Sequence, residues 1–138
     1  MFRYDALFME PGNTAFFFNV LIILGFPKLV KLIMDRFEKQ ILETFAHLVR
    51  KKVSLRSVVL FGSRARGDAE PDSDMDVLVI VDDLTEKDED YISECAWEAG
   101  FASGIVVVPV VFSRVEWENG PERYSLLAEA VKLDGVYL

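Results

Sequence analysis

The chain has one cysteine, one histidine and too few cations to balance its acids, and each shortage removes a class of function. Cys95 alone cannot form an internal disulfide or a cysteine-built zinc site, which fits a reducing cytoplasm, and it reads as a small buried side chain on a helix. His47 falls inside a helical pattern and reads as a helix-surface residue rather than a base. With 15 Lys and Arg against 23 Asp and Glu the formal net charge is −8. Such a surface is poorly suited to gripping the phosphates of duplex nucleic acid, which argues for small-molecule or protein ligands instead. Long apolar runs are also missing. Ala15 to Phe26 is interrupted by Asn19 and stopped by Pro27 and Lys28, well short of the roughly 20 residues of a spanning helix. A secretory signal fits no better, because Asp5 and Glu10 precede the run and no small-residue cleavage site follows. We therefore expect a cytoplasmic protein without firm membrane association.

What is present is 138 residues, 51% hydrophobic and 12% aromatic, enough for one globular domain with a sizeable core. Residues 1–33 differ from the remainder. This apolar extension reads as an extra helix packing on the domain, as a weak membrane or partner anchor, or as a mis-assigned start. Under the third reading Met34-Asp35-Arg36 opens the domain, residues 34–138, and the intact mass of the natively expressed protein decides it.

Ser57-Val58-Val59-Leu60-Phe61 is a short β-branched run bounded by glycine, the pattern of a buried strand. At Gly62 no Cβ stands between the backbone and a ligand. Ser63 then stands at the N-cap of a turn of helix, where free N–H groups and the positive dipole end suit a phosphate. Arg64 and Arg66 add positive charge there, and Gly67 can end the turn. After the turn-rich connection Asp68–Asp72 comes Ser73-Asp74-Met75-Asp76-Val77. Asp74 and Asp76 project from one face of a strand, roughly 6–7 Å apart at Cα. Alone, Asp-x-Asp is usually a solvated pair at a strand start. The following Val77-Leu78-Val79-Ile80-Val81 places these acids at the mouth of a strand buried on both faces, where an unpaired carboxylate is disfavoured. Two acids beside a phosphate-binding turn suit Mg²⁺ shared with a triphosphate. Asp82, about 20 Å along the strand from Asp76, cannot share that ion.

The series Gly62-Ser63-Arg64-Ala65-Arg66-Gly67, then Ser73-Asp74-Met75-Asp76-Val77-Leu78-Val79, resembles the Gly-Ser-x(n)-Asp-x-Asp signature of the DNA polymerase β-type nucleotidyltransferase superfamily. More narrowly it is similar to the minimal nucleotidyltransferases of prokaryotes, small proteins often paired with a HEPN-domain partner. The resemblance covers roughly Met34 to Leu138. It implies an α+β fold with a small mixed sheet and flanking helices. It implies Asp74 and Asp76 as catalytic metal ligands for Mg²⁺ or Mn²⁺, and Gly62, Ser63, Arg66 and Ser73 as the site for ATP or another nucleoside triphosphate. The tail Asp134-Gly135-Val136-Tyr137-Leu138 also resembles an ending common in these proteins.

Elsewhere the pattern is regular. Phe37, Ile41, Phe45 and Leu48, with Leu42 and Val49, predict an amphipathic helix over 35–52. Thr85 opens a capped helix ending near Gly100, and Ile105 to Phe112 is a strand whose Pro109 implies an edge or a bulge. Ser113-Arg114-Val115-Glu116 is a capping box, and a last helix is expected over 122–133, with Tyr124, Leu127 and Val131 on one side and Gly135 at C′.

The family's third carboxylate is missing from the strand over 105–112, where Val106 aligns with its position. Three functions stay open. The first is transfer of a nucleoside monophosphate, AMP from ATP, to a hydroxyl, with a HEPN toxin's tyrosine as the acceptor implied by the resemblance. The second is a binding module that neutralises a partner by contact alone. The third and weakest is transfer to a small-molecule alcohol such as an aminoglycoside, for which the chain has no evident second domain.

Overall fold

The structure, a computed structural model, describes residue 20 and residues 22–138, those at 27–34 through their backbone only. Helix α1 runs from Pro27 to Arg50, longer at its start than the predicted 35–52. Proline at its first positions needs no hydrogen-bond acceptor and presets a helical φ, so the helix begins there without a side-chain cap. It crosses position 34 without a break, and the expectation of a separate apolar extension falls mainly on residues 1–19 and 21, outside the described ones. Ile41, Leu42, Phe45, Ala46 and Val49 form its buried face, while His47 is exposed.

Among the described residues the sheet has four strands in the order β3-β2-β1-β4. Strand β1 (Leu55–Phe61) pairs antiparallel with β2 (Met75–Val81), and β2 pairs parallel with β3 (Val107–Ser113). The crossover between the parallel strands is helix α3 (Glu86–Phe101), with α2 the short helix Gly62–Arg66 between β1 and β2. Both capping boxes predicted from sequence are present, at Thr85/Asp88 and at Ser113/Glu116, the latter opening α4 (Arg114–Asn119). Strand β3 is an edge, which accommodates Pro109.

Alternation along the strands divides the core. Val58, Leu60, Met75, Val77, Val79 and Val81 face α1 and α3, packing on Phe45, Val49, Ile92 and Cys95. Val59, Leu78 and Ile80 face the other way, onto Val131, Trp117 and Leu127. Asp76 shares that second face by parity. Between Leu55 and Ser57 the β1–β2 register shifts by one residue at Arg56, a bulge that lets Leu55 join the first core.

The C-terminal part departs from expectation. The helix predicted over 122–133 is split into a 3₁₀ turn, Pro121–Tyr124, and α5, Leu126–Asp134. Ser125 divides them because its hydroxyl accepts the Ala128 N–H at 3.2 Å and caps the second piece. Tyr124 is consequently exposed and shares no face with Leu127 and Val131. Gly135 follows α5 with φ −58°, not left-handed, so its need for glycine is clearance. A Cβ there would sit 2.3 Å from the Val131 carbonyl oxygen and 3.0 Å from Val59 Cγ1. That approach lets Val136–Tyr137 form a fourth strand, β4, against Leu60 and Val59, unanticipated in the sequence.

Candidate functional site

Strand β1 ends at Phe61, which pairs with Asp76 on β2, so the glycine turn and the acids meet at one end of the sheet. Gly62 has φ +74°, and a Cβ added there would lie 2.7 Å from Asp76 Oδ2. The carboxylate therefore rests against bare backbone, and only glycine fits both the dihedral and the space. Asp74 is exposed one residue before β2, while Asp76 is half-buried. Burial, and then the negative charge of Asp74, pushes the Asp76 carboxyl above its usual range. Two acids close enough to repel, one of them against the bare backbone of Gly62, are a donor set that a hard divalent cation would satisfy, with further oxygens from a triphosphate.

The remaining expected residues are placed differently. Ser63 is not the N-cap. Phe61 holds that position without a side-chain hydrogen bond, and Ser63 lies inside the first turn of α2. Gly67 ends the turn in the left-handed conformation, as expected. Arg64 adds no charge to the site. Its guanidinium is buried and directed away, donating to Glu38 Oε1 at 3.1 Å, to the Pro71 carbonyl at 3.0 Å and twice to the Ser73 carbonyl, at 2.6 and 2.9 Å. Ser73 thus has a backbone role, tying the connection just before Asp74. Arg66 is partly exposed and reaches Asp68 at 3.2 Å and Asp134 at 3.6 Å. Asp82 lies at the opposite end of β2, bonded to Ser54 and Arg56.

Sequence reasoning missed Glu38. It falls on the apolar stripe of α1 at helical spacing from Ile41, Leu42 and Phe45, and an acid in such a stripe signals a buried partner. On β3, register sets Val108 opposite Asp76, and the Met75 N–H donates to the Val106 carbonyl at 2.8 Å. Val106 just before the strand and Val108 within it, 61% and 36% exposed, thus stand beside the acids. Among the described residues no group of three or more His, Cys, Asp or Glu could hold a metal. A cavity of about 920 Å³ lies between α1, α2 and β4, and of the expected site residues only Arg66 lines it. No helix among the described residues is long and apolar enough to cross a membrane.

The chain is similar to known proteins in sequence and in fold. The family model of the nucleotidyltransferase domain matches residues 39–133. Two Methanocaldococcus jannaschii proteins, Putative protein adenylyltransferases MJ0141 and MJ0604, are similar in sequence. The first is 36% identical over 64 residues, 46% of this chain and 65% of that protein. The second is 30% identical over 78 residues, 55% of this chain and 74% of that protein. Among solved structures, a toxin–antitoxin crystallised with AMP-PNP is 23% identical, covers 69% of both chains and has a TM-score of 0.49. A toxin–antitoxin MntA-HpeT variant is 23% identical over 70% of this chain and 69% of its own, also at 0.49. With most of its length matched and its glycine turn and aspartates joined at one end of a mixed sheet, the chain belongs to the nucleotidyltransferase domain family.

Proposed function

We propose that this chain transfers a nucleoside monophosphate, AMP from ATP, to a hydroxyl on a partner protein in the cytoplasm. The observation that carries this reading is the Asp76 carboxylate resting against Gly62 with Asp74 beside it. Asp74 and Asp76 would hold Mg²⁺ or Mn²⁺, which when bound supplies Lewis-acid stabilisation of the phosphate charge. The Gly62 and Ser63 backbone cradles the terminal phosphates, and Arg66 offsets charge nearby. The acceptor oxygen bonds to the α-phosphorus as the bond to the β-bridging oxygen breaks, and pyrophosphate leaves. No acid on β3 stands ready for the hydroxyl proton, so transfer is slow unless the partner supplies a base. Protein acceptors are supported by the adenylyltransferase names of the two archaeal relatives. A HEPN-type toxin tyrosine is the acceptor in the antitoxin form of the proposal.

The test is incubation with α-labelled ATP, Mg²⁺ and the product of the neighbouring gene. Wild type should add one nucleotide mass to that protein and Asp76→Asn should not. No label in either case refutes transfer. The valines at 106 and 108 favour a second reading, a binding module without turnover. It predicts that Asp74→Ala with Asp76→Ala leaves neutralisation of the partner intact.

A further inference from the structure

The outer face of α3 ends in an aromatic pair. Trp97 and Phe101 are one helical turn apart with ring centroids 4.8 Å apart, yet they are 67% and 68% exposed. They border a groove of about 420 Å³ between α3 and the free edge of β3, continued by Ile105, Val106 and Pro109. Rings this large stacked on one another in water leave apolar surface that a partner would cover.

The groove lies on the α3 side of the sheet, opposite the face that Asp76 shares, and reaches the aspartates' end of β2 around the sheet edge at Val106. Val106 lines it, and the same residue accepts the hydrogen bond from Met75, which stands between Asp74 and Asp76. One strand spacing, about 5 Å, separates β3 from β2. The exposed Val106 thus belongs both to the edge of the site and to the groove.

The charge around the groove selects its occupant. Helix α3 carries six acids and one lysine, with Glu94 and Glu98 flanking Trp97. A second copy docking face to face would bring acid against acid in a chain of net charge −8. A partner with an apolar anchor between Lys or Arg residues is complementary in both respects. We infer that the α3–β3 groove docks a basic, amphipathic segment of the acceptor protein and so presents its hydroxyl to Asp74 and Asp76. This rests on the transfer reading above for the role of the docking, but not for the docking itself.

The probes are a fluorescein-labelled 16-residue Lys/Leu peptide with one central Trp, and its Glu/Leu counterpart, titrated with the full chain. The Lys/Leu peptide should bind with salt-sensitive affinity, and the Glu/Leu peptide should not. Trp97→Ala with Phe101→Ala should weaken binding at least tenfold, and Glu94→Gln with Glu98→Gln several-fold. Glu43→Gln with Glu129→Gln, the same charge change elsewhere, should leave it unchanged. Mg-ATP binding, measured by calorimetry on every variant, reports folding and the nucleotide site separately. Equal binding of the two peptides, no effect of the aromatic substitutions, or an equal effect of the remote pair overturns the groove. So does a dimer in light scattering that Trp97→Ala with Phe101→Ala dissolves, which would make a second copy the occupant. Failure of the wild type to bind Mg-ATP counts against the transfer reading and leaves the groove standing.

Discussion

Arg64 and Glu38 form a buried ion pair, Nη1 to Oε1 3.1 Å, with side chains 2% and 8% exposed. Burial pushes the Glu38 carboxyl up despite the hydrogen bond and charge of Arg64, so the acid is held there at a net desolvation cost. What the pair achieves is placement of the Arg64 fork on the Pro71 and Ser73 carbonyls, which fixes the approach to Asp74.

Removing one partner should be costly. Arg64→Ala is expected to destabilise by about 3–5 kcal/mol in urea unfolding, because Glu38 is left buried and uncompensated. Arg64→Met combined with Glu38→Leu should recover much of that loss, as apolar replacements of buried pairs often do. It should nevertheless bind Mg-ATP more weakly, since no donor then holds residues 71–73.

Gly62→Ala should cost about 1–3 kcal/mol from its left-handed φ alone. The clash with Asp76 Oδ2 adds to this. In an Asp76→Ala background the clash disappears and the dihedral cost stays, so a double-mutant cycle should show coupling between the two positions.

Asp76→Asn should raise the Tm of the metal-free protein. The carboxylate is disfavoured by burial and by Asp74, and the neutral isostere removes both penalties. Wild type should gain Tm with Mg-ATP and the variant should not. A thermal shift of the variant equal to that of wild type would dissociate Asp76 from the nucleotide.

Hydrogen bonds from Ser54 and then Arg56 hold the Asp82 carboxyl below its usual range. A depressed folded-state pKa contributes stability that is present above the unfolded value, about 3.9, and is lost as pH falls through the folded one. Asp82→Asn should therefore be less stable than wild type at neutral pH. The difference should close once pH drops below the folded value, as followed by urea midpoints.

Features set by neighbouring residues were legible in the sequence. The strand at Val58–Phe61, the glycine turn, the buried strand after Asp76 and both capping boxes are each encoded within a few positions. So was the meeting of Gly62 with Asp76, because the short helix and the connection after it return the chain to pair beside the strand that Gly62 ends. Features set by distant partners were not. Nothing near Arg64 shows that Glu38 waits 26 residues upstream, and nothing in 122–133 shows that Ser125 prefers to cap rather than continue a helix. Gly135 was expected for its dihedral freedom, but it is required by the closeness of Val131 and Val59.

The extra residue at Arg56 has a consequence for how this chain tolerates length changes. A strand's side chains swap faces with every single-residue slip. With Arg56 deleted, Leu55 would directly precede Ser57, still oppose Val81 and keep the place it now fills in the first core. The spacer therefore matters as a guanidinium, through its bond to Asp82, more than as a counted position. Excision of Arg56 should leave the faces of the strand as they are, whereas one further residue inserted beside it should turn the entrance of the strand inside out.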